Sequence, residues 1–176
     1  ADEDAYLTKH TGSPARTVLD LAAGAGRWTA VLAEAVGSQR VLALDLSAAM
    51  LLDLRTRLPR TPAVRASAAK LPFADASLDG INCWNALQAL PDPERAIGEI
   101  GRCLRPGGRL TMMTFVWAPD PVYRYFQRSH HFPARPDGFP LFELAEVQTW
   151  LERAGLAVRH QANPGTFLFV TAERQA

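Results

Sequence analysis

The chain has 176 residues, 48% of them apolar, with 19 basic side chains against 18 acidic ones and a formal net charge of +1. One domain of that size buries a sizeable core without staples, and the even charge balance excludes global basicity directed at nucleic acid or an acidic membrane. No apolar run approaches the roughly 20 residues of a spanning helix, and Ala1-Asp2-Glu3-Asp4 is too acidic for a secretory signal. Cys83 and Cys103 are too few for a disulfide scaffold or a four-cysteine zinc site. The expectation is therefore free thiols in a reducing cytoplasm.

Short apolar runs alternate with amphipathic stretches, the pattern of strand–helix repetition around a parallel sheet. Thr17 to Leu21 reads as a strand running straight into Ala22-Ala23-Gly24-Ala25-Gly26. From Arg27 to Val36, apolar residues recur at Trp28, Val31, Leu32 and Ala35, the spacing of a half-buried helix. Gly37 stands at its C-cap. Arg40 to Asp45 is a second strand, continuously apolar as for one covered on both faces. Ser47 is placed to cap a helix from Ala48 to Leu58 that Pro59 stops. Ala63 to Ala68 reads as a third strand and Leu78 to Trp84 as a fourth.

Asp92-Pro93 starts the next helix, with the apolar stripe Ile97, Ile100 and Leu104, and Pro106-Gly107-Gly108 ends it. Arg102 and Arg105 suit the C-terminus of that helix. Arg109 to Val116 is a fifth buried strand. Residues 117–141 then break the rhythm with five prolines, two histidines and several aromatics. An irregular insertion of this length in a compact domain is more often functional than accidental. Leu144 to Ala154 is a further helix capped by Gly155. Leu156 to Gln161 and Thr166 to Ala172 close the chain as a hairpin across Asn163-Pro164-Gly165. Trp28 and Trp150 sit on helical stripes and read as core.

The strongest local signal is a strand, then Asp20-Leu-Ala-Ala-Gly24-Ala-Gly26, then a helix. Glycines at such a turn let a ligand approach the backbone, and the helix N-terminus beyond favours an anion such as a carboxylate or phosphate. Asp45 ends the next strand. In a doubly wound sheet both acids lie on the carboxyl edge, where ligands bind, and a carboxylate there accepts both hydroxyls of a ribose. The dinucleotide fingerprint G-x-G-x-x-G is not matched, since Thr29 stands three residues after Gly26. That opposes a nicotinamide-dependent oxidoreductase.

Five segments in order resemble the class I S-adenosylmethionine-dependent methyltransferases, specifically the small-molecule branch that includes quinone-biosynthesis enzymes. They are Val18-Leu-Asp-Leu-Ala-Ala-Gly-Ala-Gly-Arg27, Val41-Leu-Ala-Leu-Asp-Leu-Ser-Ala-Ala-Met50, Leu71-Pro-Phe-Ala-Asp-Ala-Ser-Leu-Asp79, Asp92-Pro-Glu, and Arg102-Cys-Leu-Arg-Pro-Gly-Gly-Arg109. The resemblance covers about Thr17 to Glu173. It implies an α/β fold: a Rossmann-like, doubly wound seven-stranded sheet of order 3-2-1-4-5-7-6 with strand 7 antiparallel.

It also implies S-adenosyl-L-methionine as cofactor and a set of roles. Asp20, Ala22, Gly24 and Gly26 would hold its methionine end. Asp45 would grip the ribose, and Leu46 and Met50 would pack the adenine. The backbone around Trp84 and Asn85 would close the methionine side. Ser67 and Ala68 stand where the family often carries an acid that accepts from the adenine amino group, and a serine hydroxyl accepts more weakly than a carboxylate.

The acceptor of such a reaction lies above the ends of strands 4 and 5, where Trp84, Gln88, Trp117, Tyr123, Tyr125 and Phe126 are found. Substrate contact or packing of the insertion both account for these aromatics. His130 and His131 are the weak candidates for a general base, and no metal constellation is present in the sequence. The resemblance expects an acceptor-covering lid before the first strand, leaving residues 1–16 as a truncated remnant with a helix at most over Asp4 to Lys9. The functional expectation is methyl transfer to the carbon, oxygen or nitrogen of a small-molecule acceptor. The alternative is an inactive binding module that keeps the cofactor pocket. No nucleic-acid or membrane partner is expected, and the sequence leaves the oligomeric state open.

Overall fold

The apolar runs become a seven-stranded sheet in a computed structural model that describes residues 17–129 and 140–176. Its strands are β1 (Val18–Leu21), β2 (Val41–Asp45), β3 (Ala63–Arg65), β4 (Leu78–Trp84), β5 (Leu104–Phe115), β6 (Leu156–Ala162) and β7 (Phe167–Arg174). The helices are α1 (Arg27–Val36), α2 (Ala48–Arg57), α3 (Pro93–Cys103), α4 (Pro121–Ser129) and α5 (Leu144–Arg153). The strand order is β3-β2-β1-β4-β5-β7-β6. β1 to β5 pair in parallel, and β7 runs antiparallel to both of its neighbours, as the resemblance implied.

Every residue of β1 is buried, which is why its run is continuously apolar except for Asp20. On β5 and β7, alternate side chains face opposite ways. Leu110, Met112, Leu168, Val170 and Ala172 are fully inaccessible and share one cluster with Ile97 and Ile100 of α3 and Val147 and Leu151 of α5. The opposite set, Met113, Phe115, Phe167 and Phe169, is joined through the pairs Met113↔Phe169 and Phe115↔Phe167. The caps behave as read: the Ser47 hydroxyl accepts from the Met50 N–H, and the Asp92 carboxylate accepts from the Arg95 N–H with Pro93 opening the helix.

Three boundaries differ from the sequence reading. Leu104 is not the end of the α3 stripe; it opens β5 opposite Leu78, and the ladder resumes with Arg109 opposite Gly80. Pro106-Gly107-Gly108 therefore lies inside a strand, where Gly107 at φ 76° accommodates the irregularity. A buried leucine satisfies a helical stripe and a strand's inward row equally, so periodicity could not separate them. Arg105 accordingly leaves the helix and meets Asp79 of β4 at 2.5 Å. The third strand ends at Arg65, which puts Ser67 and Ala68 in the following loop. The insertion is helical over α4. Its cap repeats a signal already used at Asp92-Pro93: Asp120 precedes Pro121 and accepts the Tyr123 N–H at 2.8 Å. Residues 1–16, with the proposed helix over Asp4 to Lys9, and His130 and His131 lie outside the described residues.

Candidate functional site

The loop after β1 turns through left-handed backbone at Ala22 (φ 56°), Gly24 (φ 54°) and Gly26 (φ 86°). The two glycines serve different ends. A Cβ on Gly26 would meet Leu54 Cγ at 2.9 Å, so that glycine lets α1 pack against α2. A Cβ on Gly24 would meet nothing within 4 Å, so the backbone there lies open to a ligand.

Asp45 ties this loop to the next. Its Oδ2 accepts the Gly24 N–H and its Oδ1 accepts the Ser47 N–H, both at 2.8 Å. Beside it opens a cavity of about 240 Å³, whose lining includes Ala22, Asp45, Leu46, Ser67, Ala68 and Asn85. Leu46 is 56% exposed and Met50 42%, an apolar display next to a carboxylate.

Asp20 is not in that cavity. It is buried beneath the loop, accepting the Thr29 hydroxyl at 2.5 Å and the Asn82 amide at 2.8 Å, while Asn82 accepts from the Thr111 hydroxyl at 3.1 Å. The chain of bonds joins α1, β1, β4 and β5. Burial pushes the Asp20 carboxyl up to about 6 against the opposing pull of Thr29 and Asn82, and the charge on Asp45 adds to the rise. The neighbouring Cys83 thiol is pushed up to about 12 by burial and by Asp20, so it is inert at neutral pH. Both cysteines are free and buried. The sequence alone does not single out Thr29, Asn82 and Thr111 as partners of Asp20. An asparagine inside an otherwise apolar run, two residues before Trp84, was the available signal, because buried polar groups require partners.

Asn85 follows β4 in left-handed backbone at φ 54°. Gln88, read as an acceptor contact, is instead buried beneath it. Its amide donates to the Asn85 carbonyl at 2.9 Å and Asn85 Oδ1 at 2.8 Å, and its oxygen accepts from the Thr114 hydroxyl at 3.0 Å. Gln88 thus holds Asn85 in place. Trp84 is buried and meets Trp28 at 5.4 Å and Phe169 at 5.7 Å between ring centroids. The series continues through Phe167 to Phe115. Trp28 is half-buried and packs on the buried Trp84 and Met113 cluster, and the Arg27 guanidinium lies 4.8 Å over its ring. Trp150 is core, as read.

On α4 the amphipathic sense is inverted. Gln127 is buried, accepting the Ala118 N–H at 2.8 Å and donating to the Thr166 hydroxyl at 3.2 Å. Arg124 pairs with Glu143, and Arg124 and Arg128 lie over the half-buried Trp117 ring at 5.7 and 5.6 Å. Tyr123, Tyr125 and Phe126 are exposed.

A second cavity, of about 420 Å³, adjoins the start of β5 and the end of β7 and is lined in part by Arg102. The Arg102 guanidinium is already taken by Glu99, Asp75 and the Phe73 and Leu71 carbonyls. Among the described residues no group of three or more His, Cys, Asp or Glu could hold a metal ion, and no helix is long and apolar enough to cross a membrane.

Residues 19–112 match the family model described as a methyltransferase domain. The chain is 41% identical over 110 residues to a malonyl-[acyl-carrier protein] O-methyltransferase of Methylococcus capsulatus, a match covering 61% of this chain and 40% of the relative. It is 31% identical over 160 residues to a demethylmenaquinone methyltransferase of Beutenbergia cavernae, covering 85% of this chain and 65% of the relative. It therefore spans about two fifths to two thirds of the length of these relatives. An S-adenosylmethionine-dependent methyltransferase structure from Mesorhizobium loti superposes with a TM-score of 0.77 at 23% identity, covering 98% of this chain and 96% of that one, a likeness of fold. Matched over more than half its length and built in the expected strand order, the chain belongs to the methyltransferase domain family and has the fold of the class I S-adenosylmethionine-dependent methyltransferases.

Proposed function

We propose that this chain transfers a methyl group from S-adenosylmethionine to a small-molecule acceptor. The observation that carries the reading is the Asp45 carboxylate, set at the cavity rim and hydrogen-bonded to the open backbone of Gly24. Each Asp45 oxygen keeps a lone pair beyond its backbone bond, enough for two ribose hydroxyls. Leu46, Met50 and Ala68 provide apolar surface for a flat adenine, and the Ser67 hydroxyl meets its edge. Ala22 and Gly24 present backbone to the methionine end, Gly26 lets α1 seat against α2 beneath it, and Asn85, with the Trp84 backbone before it, closes the far side.

When bound, the cofactor supplies a methyl on a sulfonium: the C–S bond breaks with its electron pair left on sulfur, and the acceptor forms the new bond to carbon and gives up a proton. The chain's own task is to align the acceptor and keep water out. The wall from Trp28 through Trp84 to Phe169 and the insertion over 117–141, with Trp117, Tyr123 and Phe126, suit a flat apolar acceptor. His130 and His131 are the proposed proton acceptors for a hydroxyl nucleophile. The core of this activity is residues 17–176.

Calorimetric titration with S-adenosylmethionine tests the reading. Binding by the intact chain, weakened by about 100-fold in Asp45→Ala through loss of charge-assisted hydrogen bonds, is the expected result. No binding by the intact chain overturns it.

A further inference from the structure

We propose that the larger cavity, at the amino edge of the sheet, binds a small phosphate ester through Arg153 and Arg174, with the fixed charge of Arg102 behind them. The cavity holds about 420 Å³ and lies among α3, the end of α5, the start of β5 and the end of β7. That volume is within the range of sites for organic ligands and exceeds the 240 Å³ beside Asp45. β1, β2, β4 and β5 run parallel away from this edge. The cavity therefore faces away from the loops that carry Gly24 and Asp45, and the proposal is independent of the donor reading.

The chain departs from regular geometry twice to shape this space. Between Leu78 and Gly80 β4 advances two residues while β5 advances five, from Leu104 to Arg109. The excursion carries Pro106 onto the cavity wall, with Gly107 at φ 76° making the bend. Ala76, also in the lining, is a non-glycine residue in left-handed backbone at φ 51°, a conformation that alanine rarely adopts. It is held there because the Ala76 and Ser77 N–H groups donate to the Arg102 and Cys103 carbonyls, both at 2.9 Å. Those bonds satisfy carbonyls at the end of α3. Arg174 serves α5 in the same way, its Nη1 donating to the Ala154 and Gly155 carbonyls at 3.2 and 3.3 Å. The negative ends of both helices are thus met by the protein's own donors.

What remains is positive. The side chains in the lining include three guanidiniums and one carboxylate, Asp75. Arg102 is fixed by two bonds to Glu99 and by the Leu71 and Phe73 carbonyls. Its remaining partner, Asp75, is 80% exposed, the kind of ion pair that an incoming anion exchanges at little cost. Arg153 is 70% exposed and uses Nη1 on Glu94, itself exposed. Among the described residues nothing accepts from Nε or Nη2 of Arg153 or of Arg174. A phosphate offers three oxygens to such forks. Leu104, Pro106 and Ala154 give apolar surface to an organic group that fills the rest of the volume. Free phosphate shares the anion, and the volume and the apolar wall select the ester.

The test titrates the full chain with phenyl phosphate and with inorganic phosphate by calorimetry, and follows the backbone amides by two-dimensional NMR. Phenyl phosphate is expected to bind about fivefold more tightly than inorganic phosphate, through burial of its ring. It should move the amides of Ala76, Ala154, Gly155 and Gln175. Arg153→Gln and Arg174→Gln should each weaken it about tenfold, the loss of a charged hydrogen bond. Arg174→Gln also uncaps α5, so Arg153→Gln, at an exposed position, decides if the other does not fold. Arg57→Gln, an exposed arginine of α2, should leave the affinity unchanged. No binding of either probe, shifts confined to Gly24, Ser47 and Asn85, or an unchanged affinity in Arg153→Gln overturns the proposal. An equal loss in Arg57→Gln overturns it too, because net charge would then account for binding. Equal affinity for the two probes overturns the assignment of an ester. None of these outcomes touches donor binding, which Arg153→Gln is expected to retain.

Discussion

Along the carboxyl edge of the sheet, the loops after β1 and β2 offer backbone, one carboxylate and small side chains, whereas Trp84 at the end of β4, Phe115 of β5, Phe167 and Phe169 of β7 and the segment after β5 offer rings. On the first side, positions are set by hydrogen bonds of 2.5–2.8 Å, from Thr29 and Asn82 to Asp20 and from Gly24 and Ser47 to Asp45. On the second, ring contacts run from 5.3 Å between Phe115 and Phe167 to 6.3 Å between Phe167 and Phe169, and α4 turns Tyr125 and Phe126 outward. Hydrogen bonds are directional and tolerate little displacement; ring contacts are broad in angle and adapt. One side suits an invariant ligand with fixed donors and acceptors. The other suits a partner defined by shape and apolarity.

The sharpest way to break that contrast is to cut the ring series at its buried centre and at its exposed end. Trp84→Ala removes the ring between Trp28 and Phe169 and is expected to lower stability by about 3–5 kcal/mol. Tyr125, 67% exposed, packs mainly against Phe126 at 6.0 Å, and Tyr125→Ala should stay within about 0.5 kcal/mol. Urea unfolding followed by circular dichroism measures both. Equal losses would mean that α4 is as much a part of the core as β4.

The polar side makes a prediction in pH. Burial raises the Asp20 carboxyl from 3.8 to about 6, so the folded chain holds that proton more tightly than the unfolded one. The cost of ionising it is absent below about pH 4, grows as pH climbs to about 6, and is complete above. At about 1.4 kcal/mol per unit the effect is on the order of 3 kcal/mol. Glu99 acts oppositely: the hydrogen bond from Arg102 lowers its carboxyl, giving stability that is lost as pH falls. The measurable quantity is thus the difference in unfolding free energy between wild type and Asp20→Asn without ligand. That difference should favour the variant increasingly from pH 4 to pH 7; a flat difference would show that Asp20 is not ionised at a cost.

Gly24 and Gly26 sharpen the comparison within a single loop. Both have left-handed backbone, where an alanine costs roughly 1–2 kcal/mol. Gly26→Ala adds a clash with Leu54 and should show mainly as a lower unfolding midpoint. Gly24→Ala meets open space and should keep the fold to within about that backbone cost, while the new methyl occupies the approach to the loop and weakens donor binding. A melting curve and a titration on each variant separate the two effects.

The hairpin, the caps at Ser47 and Asp92 and the loop after β1 are legible because each rests on local chemistry: an apolar run, a side-chain oxygen before a helix, a glycine in a turn; the strand order follows only from the resemblance. The losses have a common cause. Leu104 fits a helical stripe as well as a strand, because burial looks the same in either element. Gln88 was read as facing a substrate because sequence shows polarity but not which neighbour uses it. The Asp20 network was missed because Thr29, Asn82 and Thr111 come from three separate elements. The α4 helix is different, since Asp120-Pro121 carried its start in plain view and was masked by the prolines around it.

Ser67 tests whether the polar side is fully furnished. Its hydroxyl accepts the Ala69 N–H at 3.3 Å, a long bond, and the residue lines the cavity. A carboxylate at this position reaches one bond further and accepts more strongly than a hydroxyl. Ser67→Asp should tighten donor binding by about five- to tenfold, the weight of one added charged hydrogen bond after desolvation. The same variant should leave affinity for an adenine-free fragment such as methionine unchanged, which assigns the gain to the adenine edge. A loss of affinity would mean that the cavity wall at Ser67 is set by packing rather than by hydrogen bonding. The polar side would then end at Asp45, and recognition of the base would fall to the apolar surfaces of Leu46 and Met50.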